Sequence, residues 1–427
     1  MNRGMTDNKE KIYVGYELGK DYCMISLRSP NTGKEPILIP SVPGGDITKI
    51  PFLLAKKCGV EQWYYGQEAE EKVANGQAVA AENFYEKAEK EEVILIEEKE
   101  YQAELLLQMY LKKTFSLLLG YISLEQVDCI TFCVDKITDK QVRLWKNMGQ
   151  QVPFPKEKMR LISYSEGFAN YVMTQEESLW QRGVILLDYD GEWLGIKELV
   201  IRRETMPRVL NVVLLEATKL EMEDKTFFSL LKKVLEGKRA GMIYLVGKGF
   251  MGDWYPESLK LLCQGRRVFR GQNLYGMGAL YYGVQRGKSQ RQYLYLGEEQ
   301  VKVNITLPAL QVTKEVEYEL VSGEEHWYEA EASLEVLLGE SRELEFHVTG
   351  LYGGKTQIKL LLNEFPVREE RASRLRISVI FKDRETGSIL GEDLGFGEIY
   401  PATGKKWKQE ICIPELQEQL KADNTGT

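Results

Sequence analysis

The stretch that decides the fold is KIYVGYELGKDYCMI, residues 11–25. It contains two apolar runs with Gly19 between them, a pattern that predicts two β-strands joined by a tight turn. The first run ends near Glu17, shortly before the turn glycine. We therefore expect a hairpin that places a carboxylate at the end of its first strand.

The length and composition are those of a multidomain globular protein. A chain of 427 residues can form two or three domains, and 43% hydrophobic with 28% charged residues is ordinary for a folded protein. The net charge is -8 and no basic cluster is interleaved with aromatic residues, so we expect no nucleic-acid partner. Because the sequence shows no apolar signal segment and no apolar run of membrane-spanning length, we expect a cytoplasmic protein without a membrane partner.

The cysteines and histidines argue against a metal centre. Cys129 and Cys133 could form a metal or redox pair, but the stretch VDCITFCV that holds them is typical of a buried strand. Both histidines, His326 and His347, lie in the C-terminal part. The N-terminal part therefore has no histidine for catalysis or zinc binding, and we expect no metal.

Alternating helix and strand signals follow the hairpin. Hydrophobic periodicity predicts a strong helix over residues 101–119, and an apolar run predicts a buried strand over 127–134. Capping-box patterns predict helices that begin at Thr138 and at Ser163, with a short strand over 160–162 before the second of them.

The same alternation continues after Gly183. Continuous apolar runs predict buried strands over 184–187 and 242–246, and a returning strand is predicted over 194–201. An amphipathic helix is predicted over 224–235. The glycine-rich sequence that begins at Gly276 predicts the closing helix of this part of the chain.

The hydrophobic period changes to two in the C-terminal part. The polar sequence at 287–290 resembles a domain boundary, and alternating apolar residues beyond it predict an antiparallel β domain over 292–414. The polar segments at 1–10 and 415–427 predict a flexible N-terminus and a flexible tail.

The order of these elements resembles the actin/Hsp70/sugar-kinase superfamily. The resemblance covers residues 11–287, with one lobe over 11–180 and a second over 181–287. It implies an α/β, two-lobed actin-like ATPase fold of reduced size, followed by an antiparallel β-sandwich-like domain.

The resemblance also implies an ATP–Mg²⁺ site between the lobes. Glu17 and Asp188 correspond to the carboxylates that hold the metal and its waters, so they are the candidate catalytic residues. The other positions correspond to loops whose backbone N–H groups hold phosphate: Gly19, Lys20, Asp190, Gly191, Gly247 and Gly249.

The second phosphate loop departs from the family's pattern. Asp190 and Glu192 replace two glycines, and Trp193 replaces a threonine. These residues put two negative charges and an indole where a phosphate chain would lie, and they remove the close approach that glycine permits.

Three further features depart from the pattern. Glu70 stands at the position of the family's catalytic lysine. The acidic position of the crossing helix falls at Tyr164, with Glu166 nearby as a substitute. Residues 201–241 leave room for one or two strands and a helix, which is too little for the subdomain that forms one wall of the adenine pocket.

These departures predict a non-catalytic interaction or scaffold protein with a protein partner and no cofactor. One alternative is a slow nucleotide-dependent chaperone or ATPase that uses Glu17 and Asp188, and a second is an actin-like filament former. The glycines of the loops are also explained as plain turn residues, and this interpretation is favoured over a working ATPase. The tyrosines and tryptophans near 63–65, 189–193 and 275–282 could form a different pocket or be part of the core.

Overall fold

The structure of the protein is a computed structural model. It describes residues 11–29, 35–148, 153–203, 205, 207–271, 273–286, 291–366, 368–369 and 371–425. The N-terminal segment 1–10 and the boundary at 287–290, both predicted from the sequence, lie outside the described residues. Helices hold 27% and strands 40% of the chain, so the fold is mixed α/β with several sheets.

The chain divides into two compact units, Met1–Tyr295 and Leu296–Thr427. The strands of the first unit are β1 (Ile12–Leu18), β2 (Tyr22–Arg28), β3 (Ile37–Leu38), β4 (Ile50–Pro51), β5 (Leu54–Lys57), β6 (Trp63–Tyr65), β7 (Ala78–Ala80), β8 (Val93–Ile96), β9 (Lys99–Gln102), β10 (Val127–Val134), β11 (Met159–Ser163), β12 (Val184–Tyr189), β13 (Trp193–Arg202), β14 (Arg208–Lys219), β15 (Met242–Val246), β16 (Arg267–Arg270) and β17 (Tyr293–Tyr295). Its helices are α1 (Gly66–Ala74), α2 (Phe84–Glu89), α3 (Ala103–Ser116), α4 (Asp139–Met148), α5 (Tyr164–Val172), α6 (Glu177–Trp180), α7 (Asp224–Val234), α8 (Pro256–Leu262) and α9 (Leu274–Arg286).

The hairpin predicted over residues 11–25 is confirmed. Strands β1 and β2 are antiparallel, with Glu17 opposite Met24 and Leu18 opposite Cys23. The turn is closed by a hydrogen bond from the Gly19 N–H to the Tyr22 carbonyl oxygen, 2.9 Å. The helices and buried strands predicted from periodicity and capping are also present, with ends shifted by a few residues.

Two six-stranded sheets of the first unit share one topology. The first sheet has the order β11-β10-β1-β2-β3, with β4 also beside β2, and the second has the order β16-β15-β12-β13-β14-β17. In each, an antiparallel hairpin (β1-β2, β12-β13) is followed by a third antiparallel strand, and two parallel strands extend the other side. The same connectivity therefore occurs twice in the chain.

One hydrophobic core joins the two sheets. Phe168 and Val172 of α5 pack with Ala279 of α9, and the same core contains Ile162 of the first sheet and Leu186 of the second. Burial of large apolar side chains on both faces of the two helices is what holds the sheets together.

Helices α5 and α9 approach each other and the first sheet at glycines. A Cβ atom on Gly278 of α9 would lie 1.9 Å from the carbonyl oxygen of Gly167 on α5. A Cβ atom on Gly15 of β1 would lie 2.2 Å from the carbonyl oxygen of Gly276. Because no side chain fits at these positions, the backbone of α9 rests directly on β1 and on α5.

The second unit is a β-rich domain. Its elements are β18 (Val303–Gln311), β19 (Lys314–Val321), β20 (Ala332–Leu337), β21 (Glu343–Gly350), β22 (Lys355–Leu361), β23 (Arg374–Phe381), β24 (Thr386–Gly395), β25 (Lys406–Cys412) and helix α10 (Ile413–Thr425). They form two four-stranded antiparallel sheets, β19-β18-β21-β22 and β20-β23-β24-β25. A buried ion pair, Arg368 with Asp393, joins the guanidinium and carboxylate by two hydrogen bonds of 2.7 Å.

Two expectations about the ends of this unit differ from the structure. The segment 415–427, expected to be a flexible tail, is helical as far as Thr425, and Leu416 and Leu420 of α10 are buried. The strand β17, expected within the C-terminal β domain, instead pairs in parallel with the start of β14 in the first unit.

Candidate functional site

The two candidate carboxylates occupy equivalent positions in the two sheets. Glu17 lies near the end of β1, opposite Cys133 of the parallel strand β10. Asp188 lies near the end of β12, opposite Val246 of the parallel strand β15. Consecutive residues of α9, Tyr275 and Gly276, donate to Asp188 and to Glu17, so the fold brings both carboxylates to the start of the same helix.

Glu17 is bound by donors from the protein itself. The Gly276 N–H donates to its Oε2 at 3.0 Å, and the Tyr22 hydroxyl donates to its Oε1 at 3.2 Å. Only 2% of Glu17 is exposed, and this burial raises the pKa of the carboxyl to about 7 despite the two hydrogen bonds. A carboxyl so perturbed is half protonated near neutral pH.

Asp188 is bound to a pair of stacked tyrosines. The Tyr275 hydroxyl donates to Asp188 Oδ2, and the Tyr275 ring stacks on the Tyr164 ring with the centroids 3.9 Å apart and the planes at 8°. The Tyr164 hydroxyl donates to the Leu18 carbonyl oxygen at 3.0 Å. We call Tyr164 and Tyr275 the tyrosine stack, and it connects the end of β1 to the end of β12.

Burial raises the pKa values of the tyrosine stack and of Asp188. Burial raises the pKa of both stacked tyrosines well above the ordinary value, so both remain hydrogen-bond donors. Burial also raises the pKa of Asp188, although the hydrogen bond from Tyr275 opposes that shift. The tyrosine stack thus contacts Asp188 through one hydroxyl and the backbone carbonyl next to Glu17 through the other.

The turn after β12 binds its own aspartate. Asp190 Oδ1 accepts the Glu192 N–H at 2.9 Å and the Trp193 N–H at 2.7 Å. Burial would raise the pKa of Asp190, but these two hydrogen bonds and the charges of Lys20 and Lys248 hold it below the ordinary value. An internal carboxylate therefore accepts both of these backbone N–H groups of the turn.

The glycines after β15 are required by packing. Gly247 has φ +97°, and a Cβ atom there would lie 2.2 Å from the Tyr189 carbonyl oxygen. A Cβ atom on Gly249 would lie 2.2 Å from Tyr189 Cδ1 and 2.7 Å from the Gly191 nitrogen. Because Tyr189 fills the space beside both glycines, the loop packs against the β12-β13 turn.

Lys20 and the charged residues around it lie at the protein surface. Lys20 is exposed in the β1-β2 turn. Its neighbour Asp21 forms an ion pair with Lys248 at 2.7 Å, which links that turn to the loop after β15. Both side chains of the pair are more than half exposed, so the contact contributes little to stability.

Two other predicted site residues, Glu70 and Glu166, lie on helices α1 and α5. Glu70 is on the exposed face of α1. Glu166 is buried in the first turn of α5, where its N–H bonds to the Ser163 hydroxyl at 3.4 Å. The structure therefore brings Glu17, Asp188 and Tyr164 together and leaves Glu70 outside the group.

Sequence reasoning missed two residues of the site. Tyr22 and Tyr275 supply the phenol donors to Glu17 and Asp188. The only sequence signal was the aromatic content near each carboxylate loop, which does not distinguish a core tyrosine from a donor. Over the described ranges, no group of three or more His, Cys, Asp or Glu side chains could hold a metal ion.

The fold and site define a mixed α/β protein with a repeated sheet topology and a closed carboxylate pair. Residues 35–298 match the model of the family described as "Family of unknown function (DUF5716) C-terminal", and because the match spans more than half of the sequence, the chain belongs to that family. Residues 300–413 match "Domain of unknown function (DUF8552)". No curated protein matches the chain. Among the described helices, none is long and apolar enough to cross a bilayer.

Proposed function

We propose that the chain is a non-catalytic interaction or scaffold protein built on a degenerate actin- and Hsp70-like fold. The repeated sheet topology supports the proposed fold, because two like sheets with paired hairpins are what a two-lobed member of that superfamily requires. The equivalent positions of Glu17 and Asp188 support the same relationship. In this interpretation the site is the remnant of a nucleotide site.

The observation that carries the non-catalytic proposal is that the protein's own groups occupy the site. The tyrosine stack binds Asp188 through the Tyr275 hydroxyl and the Leu18 carbonyl oxygen beside Glu17 through the Tyr164 hydroxyl, and Asp190 accepts the turn N–H groups that would bind phosphate. A phosphoryl-transfer site depends on donors aimed at the phosphates and on carboxylates free to hold a metal. Here both sets of groups already have partners.

The first test is titration of the full chain with ATP–Mg²⁺ by calorimetry. We expect no saturable binding with a Kd below about 1 mM, because phosphate would have to displace the Asp190 carboxylate from the turn N–H groups and approach the side chain of Glu192. Saturable binding with a micromolar Kd would contradict the proposal.

A pair of substitutions at Asp190 tests the physical reason. Asp190→Ala removes both the charge and the acceptor, which frees the Glu192 and Trp193 N–H groups. Asp190→Asn removes the charge but keeps an oxygen that can accept them. We expect inorganic pyrophosphate to bind measurably to the alanine variant and more weakly to the asparagine variant. Equal affinities would mean that charge alone excludes phosphate.

A slow ATPase is the alternative, and one observation favours it. A buried carboxyl with its pKa raised to about 7, as at Glu17, is typical of a catalytic acid or base. If the unmodified chain hydrolyses ATP and either Glu17→Ala or Asp188→Ala abolishes the turnover, the site is an active site with altered ligands.

A further inference from the structure

The last long strand of the second sheet has an outer edge that is only partly covered. Strand β14 contains 12 residues, and β17 pairs with it at Arg208, Val209 and Leu210 only. Along residues 211–219 no other described strand pairs with the outer side of β14. A long free edge of this kind is a template for pairing with another strand.

The free edge is also unusually apolar. Its sequence is NVVLLEATK, and 42% of Val213 and 56% of Leu214 are exposed. Val212 packs at the margin of the core on one face of the sheet, and Leu215 packs at the margin of the core on the other. A strand added here would therefore extend both apolar layers.

The other outer strands of the two large sheets lack this combination. Strands β3 and β4 have two residues each, β16 has four, of which Arg267 and Arg270 are charged, and β11 has five, of which Arg160 is charged. Short or charged edges resist pairing, so β14 is the edge that is suited to it.

Two backbone hydrogen bonds fix which backbone groups of β14 point outward. The Arg208 N–H donates to the Gln292 carbonyl oxygen on the outer side, and beyond the strand the Leu220 N–H donates inward to the Glu192 carbonyl oxygen. Counting alternate residues from each end, the outward N–H and C=O groups belong to Val212, Leu214, Ala217 and Lys219.

A β-bulge interrupts this alternation. Leu214 is opposite Lys197 and Glu216 is opposite Ile196, so Leu215 is an extra residue without a partner on β13. The outward groups are consequently spaced two residues apart on either side of the bulge and three apart across it. A regular strand, which repeats every two residues, would fall out of register at this point.

We infer that the edge pairs with the same edge of a second copy of this chain. Antiparallel pairing about an axis between Leu215 and Glu216 puts Leu214 opposite the partner's Ala217 and Val212 opposite the partner's Lys219. In this register all four outward residues meet outward residues, because both strands carry the same three-residue interval. No like charges are opposed, and the arrangement is the two-fold, self-complementary interface of a symmetric dimer.

The test is sedimentation of the full chain over a range of concentrations. We expect a dimer for the unmodified chain. The double variant Leu214→Glu/Ala217→Glu places like charges opposite each other twice, and it should weaken the dimer at least about tenfold. Leu214→Glu/Ala217→Lys should restore dimerisation. Both positions are exposed, so folding is retained, and circular dichroism checks this.

Variants with the two charges exchanged distinguish an effect of strand register from an effect of net charge. Leu214→Lys/Ala217→Glu has the same net charge as the restoring pair and should also dimerise, whereas Leu214→Lys/Ala217→Lys should not. A monomeric unmodified chain would overturn the inference, and so would a dimer that responds to net charge alone or to none of these changes. The outcome does not depend on whether the carboxylate site binds a nucleotide.

Discussion

Replacing Gly278 with alanine is expected to lower the free energy of unfolding of the first unit by about 3 kcal/mol or more. The new Cβ atom would lie 1.9 Å from the Gly167 carbonyl oxygen and 2.5 Å from its carbonyl carbon. Both are backbone atoms, so the overlap can be relieved only by moving α9 away from α5. Overpacking of this kind costs about 1–3 kcal/mol when side chains can adjust, and more when the backbone must move.

The substitution should also disturb the carboxylate site. Helix α9 carries both Tyr275 and Gly276, which donate to Asp188 and Glu17. A shift of α9 therefore separates donors from acceptors in a region that excludes water, where an unpaired polar group costs about 1–3 kcal/mol. The stability loss and the loss of site geometry have one cause.

Urea unfolding measures the effect, with Gly120→Ala as the matched control. Gly120 has open space around an added Cβ and no left-handed φ, so its substitution should change stability by no more than about 0.5 kcal/mol. If Gly278→Ala were as mild as the control, α5 and α9 would not be in the close contact described here.

The local parts of the fold could be predicted from the sequence. The hairpin of β1 and β2 follows from a glycine between two apolar runs, and β10 from a continuous apolar run. Helix α5 follows from the Ser163 cap, whose hydroxyl accepts the Glu166 N–H. Each signal lies within a few residues of the element that it specifies, so no knowledge of the tertiary structure is needed.

The parts that depend on distant partners could not be predicted. The strand β17 follows directly after the polar segment that resembles a domain boundary, and only its pairing with Arg208, 85 residues before Tyr293, assigns it to the first unit. The polar sequence of α10 resembles a frayed tail until a surface is present to bury Leu416 and Leu420. Both mistakes arose because the residues that decide the structure lie elsewhere in the chain.

The candidate site shows the same limit of prediction from sequence. The positions of Glu17 and Asp188 at the ends of strands follow from strand and turn signals. The tyrosine stack does not, since Tyr164 and Tyr275 lie in different helices that meet only because Gly167 and Gly278 allow close contact. Local sequence signals indicate where the two carboxylates lie, whereas only the packing shows which donors bind them.

Acidification from pH 7.5 to pH 5 is expected to stabilise the first unit through Glu17. The pKa of this carboxyl is about 7 in the folded protein and 4.5 in the absence of burial. Folding therefore favours the protonated form of Glu17. The contribution of this carboxyl to the free energy of unfolding is fully present below pH 4.5 and is lost as the pH rises through 7. The difference of about 2.5 pKa units corresponds to about 3 kcal/mol.

Other groups do not cancel this contribution within that pH window. The pKa of Asp188 is also raised by burial, which adds an effect of the same sign. Asp190 and Asp393 have lowered pKa values, and the stability that they contribute is lost only as the pH falls below the ordinary range of aspartate. The second unit is identical in the variants to be compared, so its own pH dependence is removed by subtraction.

The effect is measured by urea unfolding of the unmodified chain and of Glu17→Gln, each at pH 5 and at pH 7.5. Glutamine imitates the protonated carboxyl, and its oxygen can still accept the Gly276 N–H. We expect Glu17→Gln to be nearly as stable as the unmodified chain at pH 5 and more stable by about 2–3 kcal/mol at pH 7.5. Glu70→Gln, an exposed site on α1, should leave the pH dependence unchanged.

A difference between Glu17→Gln and the unmodified chain that stays constant with pH would mean that Glu17 is already ionised in the folded protein, with a cation or water beside it instead of the closed pair of donors.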